Sequence, residues 1–500
     1  MRFDRRYLFV LPLLAAFLRA DVSLPCVLGD NMVLQRDQPA PVWGHAAPGE
    51  EIAVRFAGQE KHAQADAAGR WRVTLDALAA SAAPATLTVA GANTIELKNI
   101  VVGEVWLCSG QSNMDHPVND TREWARPVAV TDAALGQEIK TKDFPLIRLF
   151  RVEKKLAPPD VVSDGWHEAA GAARDKFSAV GYLFGRQLWD QLGVPVGLVQ
   201  ATWGGSRIEE WTPAAAYTKL EAILGPAGAP SFERDAKLIG RNFEGMVRPL
   251  APFALRGVIW YQGESNIIAY NDGLRYADKM RVWIESWRAA WSRPDLPFYW
   301  VQIAPYLYSS RQDPLPHAVD ELPKLWEAQA AVLSLPHTGI VPTTDLVDDP
   351  ANIHPPRKRP IAERLAHLAL RQTYGRAGLT WFGPVFARLE IKDASAFVEL
   401  ANTDTVEKLD TYDGKPATEF EIAGADGRFV TAQVEIIDSK MVRVWSPAVP
   451  HPAAVRCAWR ETARPNLING AGLPVYPFRT NAPDWAGTHP AATAQTPLAP

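Results

Sequence analysis

Val105-Trp-Leu-Cys-Ser-Gly-Gln-Ser-Asn-Met114 (VWLCSGQSNM) is an apolar run that ends abruptly in small and polar residues. It reads as a strand that stops at a surface carrying a thiol, two hydroxyls and an amide pair. Cys108, Ser109 and Ser112 are all placed to be a nucleophile, and the stretch alone does not choose among them. What lies around it narrows the choice.

Three later apolar runs stop in the same way. Leu198-Val-Gln-Ala-Thr-Trp203 runs into Gly204-Gly-Ser-Arg207-Ile-Glu-Glu-Trp211, and Gly257-Val-Ile-Trp260 into Tyr261-Gln262-Gly-Glu264-Ser-Asn266. Gly339-Ile-Val-Pro-Thr-Thr344 is followed by Asp345-Leu-Val-Asp-Asp349-Pro-Ala-Asn-Ile-His354-Pro. Helical spacing lies between the runs: Val180, Leu183, Phe184, Leu188 and Leu192; Ala277, Met280, Ile284, Trp287 and Trp291; Ile361, Leu365 and Leu368. Alternating strands and amphipathic helices over residues 101–378 predict an α/β unit, a mostly parallel sheet with helices on both faces. Active groups in such sheets sit on loops at the carboxyl ends of the strands.

The flanks have a different texture. Residues 21–100 alternate with period two, as in Ile52, Val54 and Phe56 or Trp71, Val73 and Leu75, and predict a small β-domain. The same alternation returns over 379–480, as in Val434 and Ile436 or Val442 and Val444, with Asp413-Gly414 and Asp426-Gly427 as turns. Residues 481–500, rich in Pro, Ala and Thr, are expected to form a disordered tail. Residues 1–20 pair a basic start with an apolar stretch and read as a signal peptide, so a periplasmic or secreted location is expected. No other segment is long and apolar enough to insert in a membrane after its removal.

Composition excludes some classes. A net charge of −4 gives no basic footprint for nucleic acid. Cys26, Cys108 and Cys457 allow at most one disulfide, such as Cys26 with Cys457, so stability must come from core packing. Eighteen tryptophans could offer stacking faces to sugars, although core packing is their commoner use. No His/Cys/Asp set has metal-ligand spacing and no glycine-rich phosphate loop is present, so no cofactor is expected. Oligomeric state has no signature in the sequence.

The four strand ends together hold the parts of a serine esterase. A hydroxyl becomes nucleophilic beside a neutral imidazole, and the tetrahedral intermediate needs fixed N–H donors. Gly204-Gly205 offers backbone for close approach to a substrate oxygen, and Gln262 offers a side-chain amide. Cys108 directly follows Leu107 and suits a buried small hydrophobe. Ser109 suits a hydrogen bond to strand backbone.

GQSNM, WGGSRIEEW, WYQGESN and NIHP resemble the four blocks of the sialate O-acetylesterase family, within the SGNH-hydrolase superfamily. Asn242-Phe-Glu-Gly-Met246-Val-Arg-Pro-Leu250-Ala-Pro-Phe is similar to bacterial members, and the resemblance runs from about residue 24 to 480. It implies a flavodoxin-like α/β/α hydrolase domain between two β-domains. It also implies Ser112 as nucleophile and His354 as base, with the Ser112 N–H, Gly205 (or Gly204) and Gln262 in the oxyanion hole. Many such enzymes carry an aspartate two or three residues before the histidine, where this chain has Asn352 and Ala351. The carboxylate behind His354 is therefore Glu264, Asp349 or Asp345, or there is none. Arg207 is a candidate for a substrate carboxylate or for pairing with a neighbouring glutamate, and Trp203 and Tyr261 for stacking on a sugar. The expected partner is an O-acetylated sugar or polysaccharide, with sialic acid 9-O-acetyl esters first. Acetylxylan or another plant polysaccharide is the alternative, and a non-catalytic carbohydrate-binding protein the second.

Overall fold

The computed structural model describes residues 21–119, 128–156, 159–218, 236–312, 314–402 and 409–481. The expected signal peptide and nearly all of the expected tail lie outside them. Among the described residues, no helix is long and apolar enough to cross a membrane, and no cluster of His, Cys, Asp or Glu is placed to hold a metal.

One long strand organises the molecule. It is the seventh of seven that begin the chain: β1 (Val33–Gln35), β2 (Ala40–His45), β3 (Glu51–Phe56), β4 (Gln59–Gln64), β5 (Arg70–Leu75), β6 (Ser81–Ala90) and β7 (Thr94–Gly110). The first half of β7 pairs antiparallel with β6, and Val101–Gly103 pair parallel with β1. Its second half enters the central sheet, where β7 lies between β10 (Val196–Thr202) and β11 (Gly257–Tyr261), parallel to both. The boundary expected at residue 100 thus falls inside a continuous strand. What changes there is burial, which alternates early in β7 and is complete on both faces from Ile100 onward. The sequence texture follows that switch, not a break between units.

Beyond β11 come β12 (Phe298–Val301) and β13 (Thr338–Val341), and beyond β10 come β8 (Phe144–Arg151) and β9 (Trp166–Ala169). All pairings from β13 to β8 are parallel, and β9 closes the edge antiparallel. With the β8–β9 pair set aside as an edge addition, the strands run 2-1-3-4-5. The order reverses beside β7, and that is where such sheets open a crevice at their carboxyl ends.

Helices cover both faces. The first helix, α1 (Ser112–Asp115), directly follows β7; α2 (Ala179–Leu192) lies across β10. The Ser178 hydroxyl caps α2 by accepting from the Gly181 N–H at 3.0 Å, and Gly193 ends it in the left-handed region. A Cβ on Gly181 would lie 2.9 Å from the Cys108 sulfur, so this glycine lets the helix close onto the sheet. Trp106 packs on the same face, edge-on to Phe184 of α2 at 5.2 Å. The opposite face carries Trp260, whose ring lies 4.3 Å from that of Trp283 in the helix spanning 276–291. Trp106, Trp211, Trp260, Trp283, Trp287, Trp300 and Trp326 are all fully buried, so these indoles serve the core.

The N-terminal strands and the central sheet share one continuous hydrophobic core. The C-terminal strands build another from residues such as Val398, Leu400, Ile422, Val442, Val444 and Val455. It lies among two four-stranded sheets and one two-stranded pair. All three cysteines are free, with Cys108 in the first core, Cys457 in the second and Cys26 packed against the first.

Candidate active site

Four segments converge at the carboxyl ends of β7, β10, β11 and β13. The turn out of β7 depends on Gly110, at φ +132°, where a Cβ would come within 2.2 Å of the Tyr261 carbonyl oxygen. The Gln111 N–H donates to that same carbonyl at 3.0 Å, so the chain leaves the sheet in a fixed direction. Ser112 then opens α1, half-buried. The other two candidates are spent elsewhere. Cys108 is fully buried, and desolvation pushes its thiol far above the usual range. The Ser109 hydroxyl donates to the Ala201 carbonyl of β10 at 2.6 Å.

Ser112 Oγ and His354 Nε2 lie 2.8 Å apart, bridging 242 residues of sequence. That is hydrogen-bond reach for a base and the proton it removes. His354 sits on the loop between β13 and the next helix, α3 (Lys358–Gln372). Its backbone N–H donates to the Asn352 side-chain oxygen at 2.9 Å, so Asn352 shapes the loop.

Each of the three candidate carboxylates has partners of its own. Asp345 takes both guanidinium N–H groups of Arg364, at 2.8 and 2.6 Å. Asp349 is exposed and accepts the Ala351 N–H at 2.9 Å. Glu264 is buried, and its Oε1 accepts from the Asn113 amide at 2.6 Å.

Gly204 and Gly205 lie beside Ser112. A Cβ on Gly204 would be 3.6 Å from the Ser112 Cβ, and Gly205 is exposed at φ +75°. Among the described residues, the N–H groups of Ser112, Gly204 and Gly205 donate to no acceptor. They are the free donors beside the hydroxyl.

Gln262 is engaged by other segments. It is fully buried, and its amide nitrogen donates to Asn266 Oδ1 at 2.7 Å, Gln111 Oε1 at 3.1 Å and the Ser206 carbonyl at 3.3 Å. Tyr276 donates to its oxygen at 2.6 Å. The amide expected at the oxyanion is spent on holding loops together. Asn266 anchors this network, since its nitrogen donates to Glu209 and Asp272, the two carboxylates that bracket the buried Lys279 ammonium at 2.5 and 2.8 Å.

The sugar-binding expectations fare unevenly. Tyr261 is fully buried and offers no ring face to a substrate. Trp203 is half-buried, with the Arg241 guanidinium 4.9 Å over its ring. Arg207 lies 3.5 Å from Glu210 and donates to the Tyr270 hydroxyl at 2.9 Å, so its charge is already engaged.

Three residues at the site had no assigned role in the sequence. Gln111 Oε1 accepts from the Gln262 amide and from the Ser265 N–H at 3.2 Å, joining the first and third blocks. Asn113 and Lys358 touch each other at 2.5 Å behind Ser112. Gln111 and Asn113 flank Ser112 in the first block, which was the available signal. Lys358 had only its place four residues after His354.

Residues 102–371 match the family described as carbohydrate esterase, sialic acid-specific acetylesterase. Sialate O-acetylesterase from Homo sapiens is 31% identical over 411 residues, covering 73% of this chain and 73% of that protein. The Mus musculus enzyme is 28% identical over 493 residues, covering 86% and 88%. The crystal structure of a carbohydrate acetylesterase from Xanthomonas citri superposes with a TM-score of 0.80 at 35% identity, covering 92% of this chain and all of that one.

Proposed function

Because the chain belongs to the sialic acid-specific acetylesterase family of carbohydrate esterases, and is thus a carboxylic ester hydrolase, we propose that it removes O-acetyl groups from a carbohydrate through Ser112 and His354. The observation that carries the proposal is the 2.8 Å contact between Ser112 Oγ and His354 Nε2 at the carboxyl edge of the sheet. The strand order around β7 supports reading the domain as a flavodoxin-like SGNH hydrolase.

In this mechanism Ser112 attacks the acetyl carbonyl while His354 takes its proton. The oxyanion forms beside the unengaged N–H groups of Ser112, Gly204 and Gly205. Collapse expels the sugar alcohol, which leaves with the proton from His354. Water then attacks the acetyl-enzyme by the same route and releases acetate. No cofactor enters any step.

Sialic acid 9-O-acetyl esters are the proposed substrate, in line with the named relatives. A neutral polysaccharide such as acetylxylan is the second reading, favoured by one observation: Arg207, the residue expected to meet a sialate carboxylate, is held by Glu210 and Tyr270. Acetate release measured side by side on 9-O-acetyl sialic acid and on acetylxylan decides between them. A preference for the sialate ester of at least about tenfold in kcat/KM, or about 1.4 kcal/mol in transition-state binding, upholds the first reading. The reverse preference establishes the second, and no acetate from either removes both.

A further inference from the structure

We propose that Asn113, Lys358 and Glu264 form a buried positioning relay that fixes the histidine loop against the nucleophile. The proposal rests on the reading of Ser112 and His354 as nucleophile and base.

Asn113 follows Ser112 directly and is fully buried. Its amide nitrogen donates to the carbonyl of Ile353, the residue before His354, at 3.0 Å, and to Glu264 Oε1 at 2.6 Å. Its oxygen accepts from Lys358 Nζ at 2.5 Å. Both N–H groups and the oxygen of one side chain are therefore engaged. They tie the end of β7 to the end of β11, to the histidine loop and to the first residue of α3. Ser112 and His354 are the immediate neighbours of the two residues joined, so this amide sets the distance between Oγ and Nε2.

Lys358 breaks local rules to be there. It is fully buried, and it opens α3, where the positive end of the helix disfavours a cation. Among the described residues, no carboxylate lies within ion-pair distance of it. Its neighbours are the Asn113 oxygen and the Tyr261 ring, 5.5 Å from Nζ to the centroid. A buried lysine without a salt bridge is costly, and such exceptions concentrate at functional sites. Here the lysine polarises the Asn113 amide and so strengthens its N–H donors toward Ile353 and Glu264.

Burial drives Lys358 down to about 7 and raises Glu264 above the ordinary carboxylate range, so both are pushed toward their neutral forms. A neutral amine still donates, and a neutral carboxyl oxygen still accepts. The relay works through geometry, and a glutamine at 264 can keep the same bond.

The test is kcat and KM on p-nitrophenyl acetate, per active site counted with a serine-reactive phosphonate. Lys358→Met and Asn113→Ala are expected to lose about 10²-fold in kcat with KM unchanged, as a displaced base does. Glu264→Gln should stay within about fivefold of wild type and exceed Glu264→Ala by at least about tenfold, because only Gln can accept from Asn113. Wild-type kcat per labelled site in Lys358→Met and Asn113→Ala overturns the relay. So does a fall of about 10⁴-fold in Glu264→Gln, which would make Glu264 the orienting carboxylate itself. The Glu264 pair reads the relay without touching Lys358, so a misfolded Lys358→Met leaves the test intact. Undiminished hydrolysis by Ser112→Ala instead removes the reading of the site, and the proposal with it.

Discussion

Asn352 occupies the place where an orienting carboxylate would stand two residues before the histidine, and its side chain closes a turn onto the His354 N–H. The buried carboxylate linked to this loop through Asn113, Glu264, has one oxygen on Asn113 and the other, Oε2, without a partner among the described residues. Lys358 sits in a strongly altered environment, and its effect on stability follows from linkage. Its ordinary value of 10.5 falls to about 7 in the folded chain, chiefly through desolvation, which Glu264 partly offsets. Between those values the unfolded chain binds a proton that the folded chain does not. The contribution of Lys358 to stability is therefore full above the unfolded value and is lost as pH falls towards 7. Urea unfolding should show wild type gaining on Lys358→Met as pH rises from about 7 to about 10. A difference between the two that stays flat over that range contradicts the burial of the amine.

At the level of elements, β7 and the turn that ends it carry the architecture. Gly110 is the point where the strand must leave the sheet past the β11 backbone. Gly110→Ala would put a methyl group 2.2 Å from the Tyr261 carbonyl, in a backbone region that L residues avoid. That should cost about 3 kcal/mol or more, since strain and overpacking add. Denaturant unfolding of the variant measures it, and a cost below about 0.5 kcal/mol would show that the turn relaxes freely. The α/β alternation, the strand ends and the buried faces of the helices were legible in the sequence, because period and turn residues report burial directly. Strand-end side chains were less so. Tyr261 ends β11 and Gln262 follows it, much as Gly110 ends β7 and Ser112 comes soon after, yet both Tyr261 and Gln262 are fully buried. Nothing local distinguishes an amide aimed at substrate from one satisfied by Gln111, Ser206 and Asn266, which arrive from other segments. Lys358 was invisible for a related reason: a lysine in a helical segment reads as solvated until tertiary packing buries it.

On the scale of the whole molecule, the C-terminal β-region reaches the loop that bears His354. Arg464 donates to the carbonyls of Val347 and Asp348 at 3.2 Å each. The buried Glu461 accepts the Ser309 N–H at 2.9 Å, and the Leu307 N–H donates to the Pro350 carbonyl at 2.9 Å. Arg464→Ala should therefore lower kcat several-fold, roughly 3- to 10-fold, while stability changes by about 1 kcal/mol. Wild-type turnover in that variant would mean that the loop holds its shape unaided. This contact could not be foreseen, because Arg464 and Val347 are 117 residues apart and carry no shared motif. The N-terminal strands were recognisable as β-structure, but their union with the central sheet through β7 was hidden by the change in burial at Ile100. Ser112 could be proposed as the nucleophile only because four separated strand ends matched as a set. The most direct test of the central claim is p-nitrophenyl acetate hydrolysis by Ser112→Ala beside wild type at equal folded concentration. A loss of at least about 10³-fold in kcat is expected, and a rate near that of wild type would contradict the role of Ser112 as nucleophile.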